Sequence, residues 1–151
     1  MSILKSREEY KSKFMELNNS PVCIFCNPKE EFIIRVYENW TWVFVEFPYF
    51  KFHTMLLPKS HALRFSDLTE KELLELAEVL REVEQRYQNR EIIGAQSSYG
   101  TMLHMSWLSR YGNSNKKFVE HFHLHIWPDV EGSWESILDD KAWDVDIDLL
   151  K

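Results

Sequence analysis

Apolar and polar residues follow two different spacings along the chain, and each spacing predicts a kind of element. Three short runs rich in β-branched and aromatic residues, Phe32 to Val36, Trp42 to Val45 and Thr54 to Leu57, are separated by turn-forming residues and predict strands of a meander. Segments 94–102 and 118–127 predict two further strands, and 118–127 alternates between apolar and polar residues strictly enough to be a strand. We therefore expect an antiparallel sheet of about five strands.

Helical spacing is clearest after Thr69. Thr69 and Glu72 form the pattern of a capping box, and a single apolar stripe follows, made of Leu73, Leu76, Leu80, Val83 and Tyr87. Residues 3–17 predict a short amphipathic helix, and Trp134, Ile137 and Leu138 have helical spacing near the other end of the chain. The predicted fold class is α+β, with one long helix and short terminal helices.

Composition and charge restrict the class of protein. The chain has 151 residues, 44% of them hydrophobic, with a net charge of −6 and neither a repeat nor a linker, so we expect a single domain over residues 1–151. Segment 129–151 holds eight acids and two lysines, which makes it an acidic extension of a core that is neutral overall. The lack of a basic stripe argues against duplex nucleic acid as the partner.

The compartment bears on the interpretation of the two cysteines. No apolar run approaches the roughly 20 residues that cross a bilayer, and residues 1–14 have no apolar secretory core, so we expect a cytoplasmic protein without a membrane partner. In a reducing compartment Cys23 and Cys26 do not suggest a disulfide. Their spacing suits a metal or redox chemistry, and the alternative is that both are small buried apolar residues.

Three of the six histidines fall within five residues. On a strand, His121, His123 and His125 would project from one face at intervals of about 7 Å. Phe122, Leu124 and Ile126 would project from the other face. Imidazoles in this arrangement can chelate a metal, and an imidazole nitrogen can also attack phosphorus. The alternative is three partly buried histidines that bond to backbone carbonyls.

Several segments together resemble one known family. His121 to Trp127 resembles the alternating histidine signature of the histidine triad superfamily, and Cys23 to Cys26 is similar to the CxxC of its zinc-containing members. His53 to His61, with Pro58-Lys59 between them, resembles a further stretch of the same family. The resemblance covers about residues 22–128, and it implies a histidine-triad-like fold and a homodimer.

The resemblance also implies an activity. Members of the family bind nucleotides or nucleotide conjugates and cleave or transfer them at the α-phosphate. His123 corresponds to the nucleophile, which would form a covalent nucleotidyl-histidine intermediate. His125 would orient His123 or contact phosphate oxygens, and His121 completes the catalytic triplet. Water or a second phosphate would resolve the intermediate, so a hydrolase and a nucleotidyltransferase both remain open.

A zinc site is the second implication. Cys23, Cys26, His61 and His121 match the ligand pattern of the galactose-1-phosphate uridylyltransferase branch of the superfamily. Two thiolates and two imidazoles suit tetrahedral Zn²⁺, and a closed shell of four protein ligands would make the ion structural.

Candidate nucleotide contacts follow from the same comparison. Phe25 and Trp42 are expected as aromatic walls, and Glu46 resembles an acidic residue that hydrogen-bonds ribose, although the spacing after it is one residue shorter here. Lys116 and Lys117, together with Arg110, are candidate phosphate clamps; the alternative is an ordinary solvated loop.

One departure from the family favours a different class of protein. Many members have Gln and Ser where this chain has Lys117 and Phe118, and a phenylalanine cannot protonate a leaving group. The rival hypothesis is a non-catalytic, zinc-stabilised nucleotide-binding or scaffold protein. His104 could line the pocket, bind a second metal or be a satisfied, partly buried residue, whereas His53 is interpreted as a backbone cap.

Overall fold

The computed structural model describes residues 4–18, 21–89, 105–109, 119–128 and 145–151. Several sequence predictions lie outside these ranges: the strand over 94–102, most of the loop at 108–117, the side chains of His104, Arg110, Lys116, Lys117 and Phe118, and the apolar residues Trp134, Ile137 and Leu138. Within the described ranges, no helix combines the length and apolar character needed to cross a membrane.

Seven regular elements form the described fold. In chain order they are α1 (Arg7–Asn18), β1 (Ile33–Val36), β2 (Trp40–Phe44), β3 (Thr54–Pro58), α2 (Glu70–Tyr87), β4 (Met105–Leu108) and β5 (Leu124–Pro128). The strands form one antiparallel sheet in the order β1-β2-β3-β5-β4. The predicted α+β class with five antiparallel strands is therefore confirmed. Because β5 lies between β3 and β4, the last histidines of the chain lie beside β3.

The two faces of the sheet bury different residues, because side chains alternate along each strand. On one face, which we call the helix face, Trp40, Trp42, Leu56 and Ile126 pack with residues of α2 such as Val83. The opposite face is the histidine face, since its Met55 pairs with His125 across β3 and β5. It also holds the smaller cluster of Val43, Val45, Met55 and Leu57, with Phe25 and Ile33 packed against it.

Both long helices begin at capping boxes. The predicted box at α2 is present: the amide of Glu72 donates to Thr69 Oγ1 (3.3 Å), and the amide of Thr69 donates to Glu72 Oε2 (2.7 Å). The helix predicted from residue 3 begins instead at Arg7, after a second box formed by Ser6 and Glu9. Leu4 is buried in the core and the amide of Lys5 donates to the carbonyl of residue 46, so this segment lies along the body of the domain.

The last strand is shorter than the sequence predicts. It begins at Leu124 rather than at residue 118, because the preceding peptide groups bond outside the ladder. The amide of Phe122 donates to the carbonyl of Ala62 (2.6 Å), and the carbonyl of His123 accepts from Ser109 Oγ (2.8 Å). The predicted alternation still holds, since Phe122, Leu124 and Ile126 are buried. The rings of His123 and His125 lie 4.9 Å apart, closer than the expected 7 Å.

The cap of α2 provides a test of this fold. We expect Thr69→Ala to lower the free energy of unfolding by about 1 kcal/mol, because the first turn of the helix loses an acceptor for its amides. Thr69→Ser retains the hydroxyl and is the matched control, with little expected change. Urea unfolding at fixed zinc concentration measures both variants. Equal stability of Thr69→Ala and the wild type would contradict the role of the cap.

Candidate metal centre and histidine site

Four side chains from three separate segments bring their ligand atoms together. The sulfurs of Cys23 and Cys26 and ring nitrogens of His61 and His121 all lie within 4.8 Å of one another. Cys26 Sγ lies 3.1 Å from His61 Nδ1, and His121 Nδ1 lies 3.2 Å from His61 Nδ1. The two sulfurs of Cys23 and Cys26 lie 3.4 and 3.5 Å from His121 Nδ1. The structure thus brings together the whole predicted ligand set.

These distances can be compared with the edges of a zinc tetrahedron. Zn–N bonds of about 2.05 Å and Zn–S bonds of about 2.3 Å give nitrogen–nitrogen edges of about 3.3 Å and nitrogen–sulfur edges of about 3.6 Å. The nitrogen–nitrogen separation between His61 and His121 is 3.2 Å, and the sulfur–nitrogen separations run from 3.1 to 3.5 Å. The donor set and its geometry therefore fit Zn²⁺.

His121 is oriented as a metal ligand. Its Nε2 lies 2.8 Å from the carbonyl oxygen of Pro58, which can only accept, so Nε2 carries the proton and Nδ1 presents its lone pair to the cluster. Burial lowers the pKa of His121, the hydrogen bond to Pro58 opposes this shift, and the proximity of His61 adds to it. The net effect favours the neutral imidazole, which is the form that binds a metal.

His123 has the opposite tautomer to His121. Its Nδ1 lies 2.7 Å from the carbonyl oxygen of His121, so Nδ1 is the donor and Nε2 carries the lone pair. His123 is half-buried, and the ring of Phe25 lies 4.9 Å away at a steep angle. An imidazole held in this way has a nucleophilic nitrogen whose direction is set by the backbone.

His125 belongs to a second histidine pair. The backbone amide of Tyr49 donates to His53 Nδ1 (3.1 Å), so the proton of a neutral His53 is on Nε2. That Nε2 lies 2.9 Å from His125 Nδ1, which must then accept. Neutral His125 consequently carries its proton on Nε2. Two adjacent imidazoles thus have opposite characters, with a lone pair on Nε2 of His123 and a donor at Nε2 of His125.

The three other candidate nucleotide contacts within the described residues lie in different surroundings. Phe25 lies beside His123, as the sequence predicts for a residue of the pocket. Trp42 is fully buried on the helix face, where its indole donates to Thr54 Oγ1, and this placement corrects the expectation that it lines the histidine face. Glu46 binds Lys5 through one carboxylate oxygen (2.6 Å) and Lys29 through the other (2.8 Å).

Two residues beside the histidines, His53 and Ser109, are not assigned to the site by the sequence analysis. His53 does accept a backbone amide, as its interpretation as a cap requires, but its second nitrogen contacts His125. The His53–His61 spacing was the available signal, since it places both residues at opposite ends of β3. Ser109 holds the carbonyl of His123 from the end of β4, and nothing in its sequence context distinguishes it from an ordinary loop serine.

Comparisons with known proteins agree with this fold. A family model described as the C-terminal domain of galactose-1-phosphate uridyl transferase matches residues 11–130. An uncharacterised HIT-like protein of Mycoplasma genitalium is 30% identical over 121 residues, covering 78% of this chain and 79% of that protein. A galactose-1-phosphate uridylyltransferase of Hypocrea jecorina is 30% identical over 100 residues, which is 66% of this chain but only 25% of that protein.

Solved structures show the same fold. A hypothetical histidine triad nucleotide-binding protein from Sulfolobus tokodaii superposes with a TM-score of 0.59 at 22% identity, covering 85% of this chain and 84% of that one. A histidine triad nucleotide-binding protein from Candida albicans gives 0.58 at 16% identity, with coverage of 83% and 82%. The family model over residues 11–130 and the 30% identical HIT-like protein show that the chain belongs to the histidine triad superfamily. Within that class, its sequence matches the family of the uridylyltransferase C-terminal domain.

The ion pairs of Glu46 generate a prediction about pH. Burial alone would raise the pKa of Glu46, but the hydrogen bonds from Lys29 and Lys5 outweigh it and the net pKa is lowered. A carboxyl with a lowered folded pKa stabilises the fold above its unfolded pKa, and the effect is lost as the pH falls through the folded pKa. We expect Glu46→Gln to cost about 1 kcal/mol between pH 8 and 5, with the difference narrowing at lower pH.

Urea unfolding over this pH range measures the effect. Glu38→Gln is the control, since Glu38 forms a comparable but fully exposed pair with Lys71 and should change stability little. If the free energy of unfolding of Glu46→Gln stayed below that of the wild type by a constant amount down to the acid transition, the assignment of the lowered pKa to the lysine pairs would be contradicted.

Proposed function

We propose that the chain binds a nucleotide or nucleotide conjugate and that His123 attacks its α-phosphorus. The proposal rests on the different tautomers of two neighbouring histidines. Nε2 of His123 has the lone pair, and Nε2 of the adjacent His125 has a proton. The choice of a nucleotide as the substrate class rests on the similar proteins, which include nucleotide-binding proteins and uridylyltransferases.

The proposed reaction proceeds in two displacements. In the first, the lone pair of His123 Nε2 forms a bond to the α-phosphorus while the bond to the leaving oxygen breaks, and its electron pair departs with the leaving group. The product is a nucleotidyl-imidazolium. Its positive charge is shared with Nδ1–H, which donates to the carbonyl oxygen of His121. In the second displacement, water or another phosphate attacks the same phosphorus and restores the imidazole.

His125 is assigned a different part in the same reaction. Its Nε2–H is suited to donate to a non-bridging phosphate oxygen, because His53 occupies Nδ1. The two rings lie 4.9 Å apart at a steep angle, so both can address one phosphate group. The proposed pocket is on the histidine face, and Phe25 is its proposed aromatic wall. Lys116 and Lys117 stay predictions as phosphate clamps.

Zinc is proposed as a structural ion held by Cys23, Cys26, His61 and His121. When bound, it would supply a link between the N-terminal turn, the end of β3 and the segment before β5. All four protein ligands converge on one point, which supports a closed shell without a position for substrate. In the protein itself, burial and the neighbouring sulfur of Cys23 raise the pKa of Cys26, so a cation would be needed to favour both thiolates.

A second candidate function is a nucleotide-binding or scaffold protein that retains the fold and zinc without turnover. Phe118 favours this alternative, because it stands where many family members have a serine that contacts the leaving group. Hydrolysis and transfer are both compatible with the first proposal. The homodimer and the cytoplasmic location stay predictions of the sequence.

Covalent trapping tests the proposed nucleophile. We expect acid-quenched wild-type protein to retain label after incubation with a UDP-sugar labelled at the phosphorus next to uridine, because a phosphoramidate to His123 would form. His123→Asn should retain none, whereas His125→Asn should label slowly. Chasing the trapped label with water alone or with a hexose 1-phosphate then distinguishes hydrolysis from transfer. A wild type that binds the UDP-sugar but never labels would favour the scaffold alternative.

Metal analysis tests the proposed ion. We expect about one equivalent of zinc in purified protein, and a large loss of zinc and of thermal stability in Cys23→Ser and His61→Ala, because binding is coupled to folding. His53→Gln is the control, since this buried histidine belongs to the other pair and should leave the zinc content unchanged. Full stability of the wild type after complete chelation would contradict a structural role.

A further inference from the structure

A buried hydrogen-bond chain lies on the helix face, behind the histidines. The indole Nε1 of Trp42 donates to Thr54 Oγ1 (2.9 Å), Thr54 Oγ1 lies 2.7 Å from the Tyr87 hydroxyl, and that hydroxyl donates to the carbonyl of Phe52 (2.8 Å). Trp42, Thr54 and Tyr87 are all fully buried. The chain has one direction, because the indole can only donate and the carbonyl can only accept.

The direction of the chain fixes both hydroxyl protons. The Thr54 hydroxyl accepts a hydrogen bond from the Trp42 indole and donates one to the Tyr87 hydroxyl. The Tyr87 hydroxyl in turn donates to the carbonyl oxygen of Phe52. The carbonyl of Ile126 is the alternative acceptor for either hydroxyl, but both distances to it are 3.4 Å, longer than any bond of the chain. Burial raises the pKa of Tyr87, which keeps the phenol a donor. Consecutive bonds of this kind polarise and strengthen one another.

The chain ends on the backbone that carries His53. Phe52 has φ of 55°, the left-handed region, and it is the one non-glycine residue with positive φ in the part of the chain that the structure describes. This conformation is strained for a bulky residue, so its surroundings must hold it. It sends Phe52 into the core of the helix face, whereas His53 contacts His125 on the histidine face.

The peptide group between Phe52 and His53 is held at both ends. Its carbonyl oxygen accepts from Tyr87, and its amide donates to the carbonyl of Phe50 (3.2 Å). Tyr87 is the last residue of α2 and lies across the sheet from the proposed nucleotide pocket. It can therefore influence the histidines through the backbone of residues 52 and 53 without touching a nucleotide.

We infer that Tyr87 is a positioning residue for the histidine site. By holding the Phe52–His53 peptide, it keeps the ring of His53 against His125 and so keeps the proton of His125 on Nε2. The catalytic part of this inference rests on the proposed function. The structural part, a coupling from Tyr87 to the tautomer of His125, stands separately and can be measured in protein without substrate.

The experiment compares Tyr87→Phe with the wild type in the full-length, zinc-loaded chain. The variant retains the ring that packs edge-on to Trp42 and removes only the donor to Phe52. We expect the ring ¹⁵N signals of His53 and His125 to move toward a mixture of tautomers. We also expect covalent labelling by the UDP-sugar to slow at least about tenfold, with its dissociation constant changed less than about twofold, because position and not binding is lost.

Tyr37→Phe is the matched control. Tyr37 is a partly buried tyrosine packed against the same core, and its hydroxyl donates to Glu82 Oε2 (3.1 Å), remote from residues 52 and 53. It should lower stability without changing the histidine signals or the labelling rate. Equal histidine spectra and labelling rates in Tyr87→Phe and the wild type would overturn the inference. A change of the same size in Tyr37→Phe would also overturn it, since the effect would then be one of general stability.

Two further outcomes are distinguishable. If the wild type is never labelled, the proposed function fails, and the ¹⁵N signals alone decide whether Tyr87 positions the histidines. If Tyr87→Phe does not fold, Thr54→Val replaces it, because it removes the bond that directs the Tyr87 proton toward Phe52 while conserving shape. The His125 signals should shift in the same direction in Thr54→Val, and unchanged signals would overturn the inference.

Discussion

Hydrogen bonds from imidazole N–H groups to backbone carbonyls determine what His121 and His123 can do. The carbonyl oxygen of Pro58 accepts a hydrogen bond from Nε2–H of His121, and the carbonyl oxygen of His121 accepts one from Nδ1–H of His123. A neutral imidazole has one donor and one acceptor, so fixing the donor fixes the direction of the lone pair. Two residues of identical chemistry thereby present opposite nitrogens: Nδ1 of His121 faces Cys23, Cys26 and His61, whereas His123 keeps its lone pair on Nε2.

The hydrogen bonds of the backbone at residues 121–123 explain why the strand starts late. A regular β-ladder would use the peptide groups of residues 121–123 for pairing with a neighbouring strand. Here Ala62, Ser109 and the ring of His123 use them instead. Losing the regular ladder lets the rings of His123 and His125 approach to 4.9 Å. The irregular backbone is therefore part of how the site is built, and a zinc ion on His121 would hold it from one end.

Sequence patterns predicted the elements well and the side-chain partners less well. The capping box at Thr69 and the stripe of α2 are local features, and the structure confirms both. The convergence of Cys23, Cys26, His61 and His121 was accessible through the family resemblance, which supplied long-range pairing that spacing alone does not contain. The face occupied by Trp42 was not accessible, because it depends on the register of β2 against β3 and on the side of the sheet that α2 covers.

His121 and His123 differ in how deeply they are buried, and this difference suits them to different proposed roles. His121 is fully buried, with Pro58, His61 and Phe25 in contact with its ring, and burial lowers its pKa and so favours the neutral, metal-binding form. His123 is two residues further on and only half-buried, which suits the proposal that a phosphate approaches its ring. A nucleophile needs both access and a fixed direction, and these requirements conflict, because access removes packing. For His123, the proposed nucleophile, the carbonyl of His121 helps to meet both requirements, since it orients the half-buried ring by accepting a hydrogen bond from Nδ1.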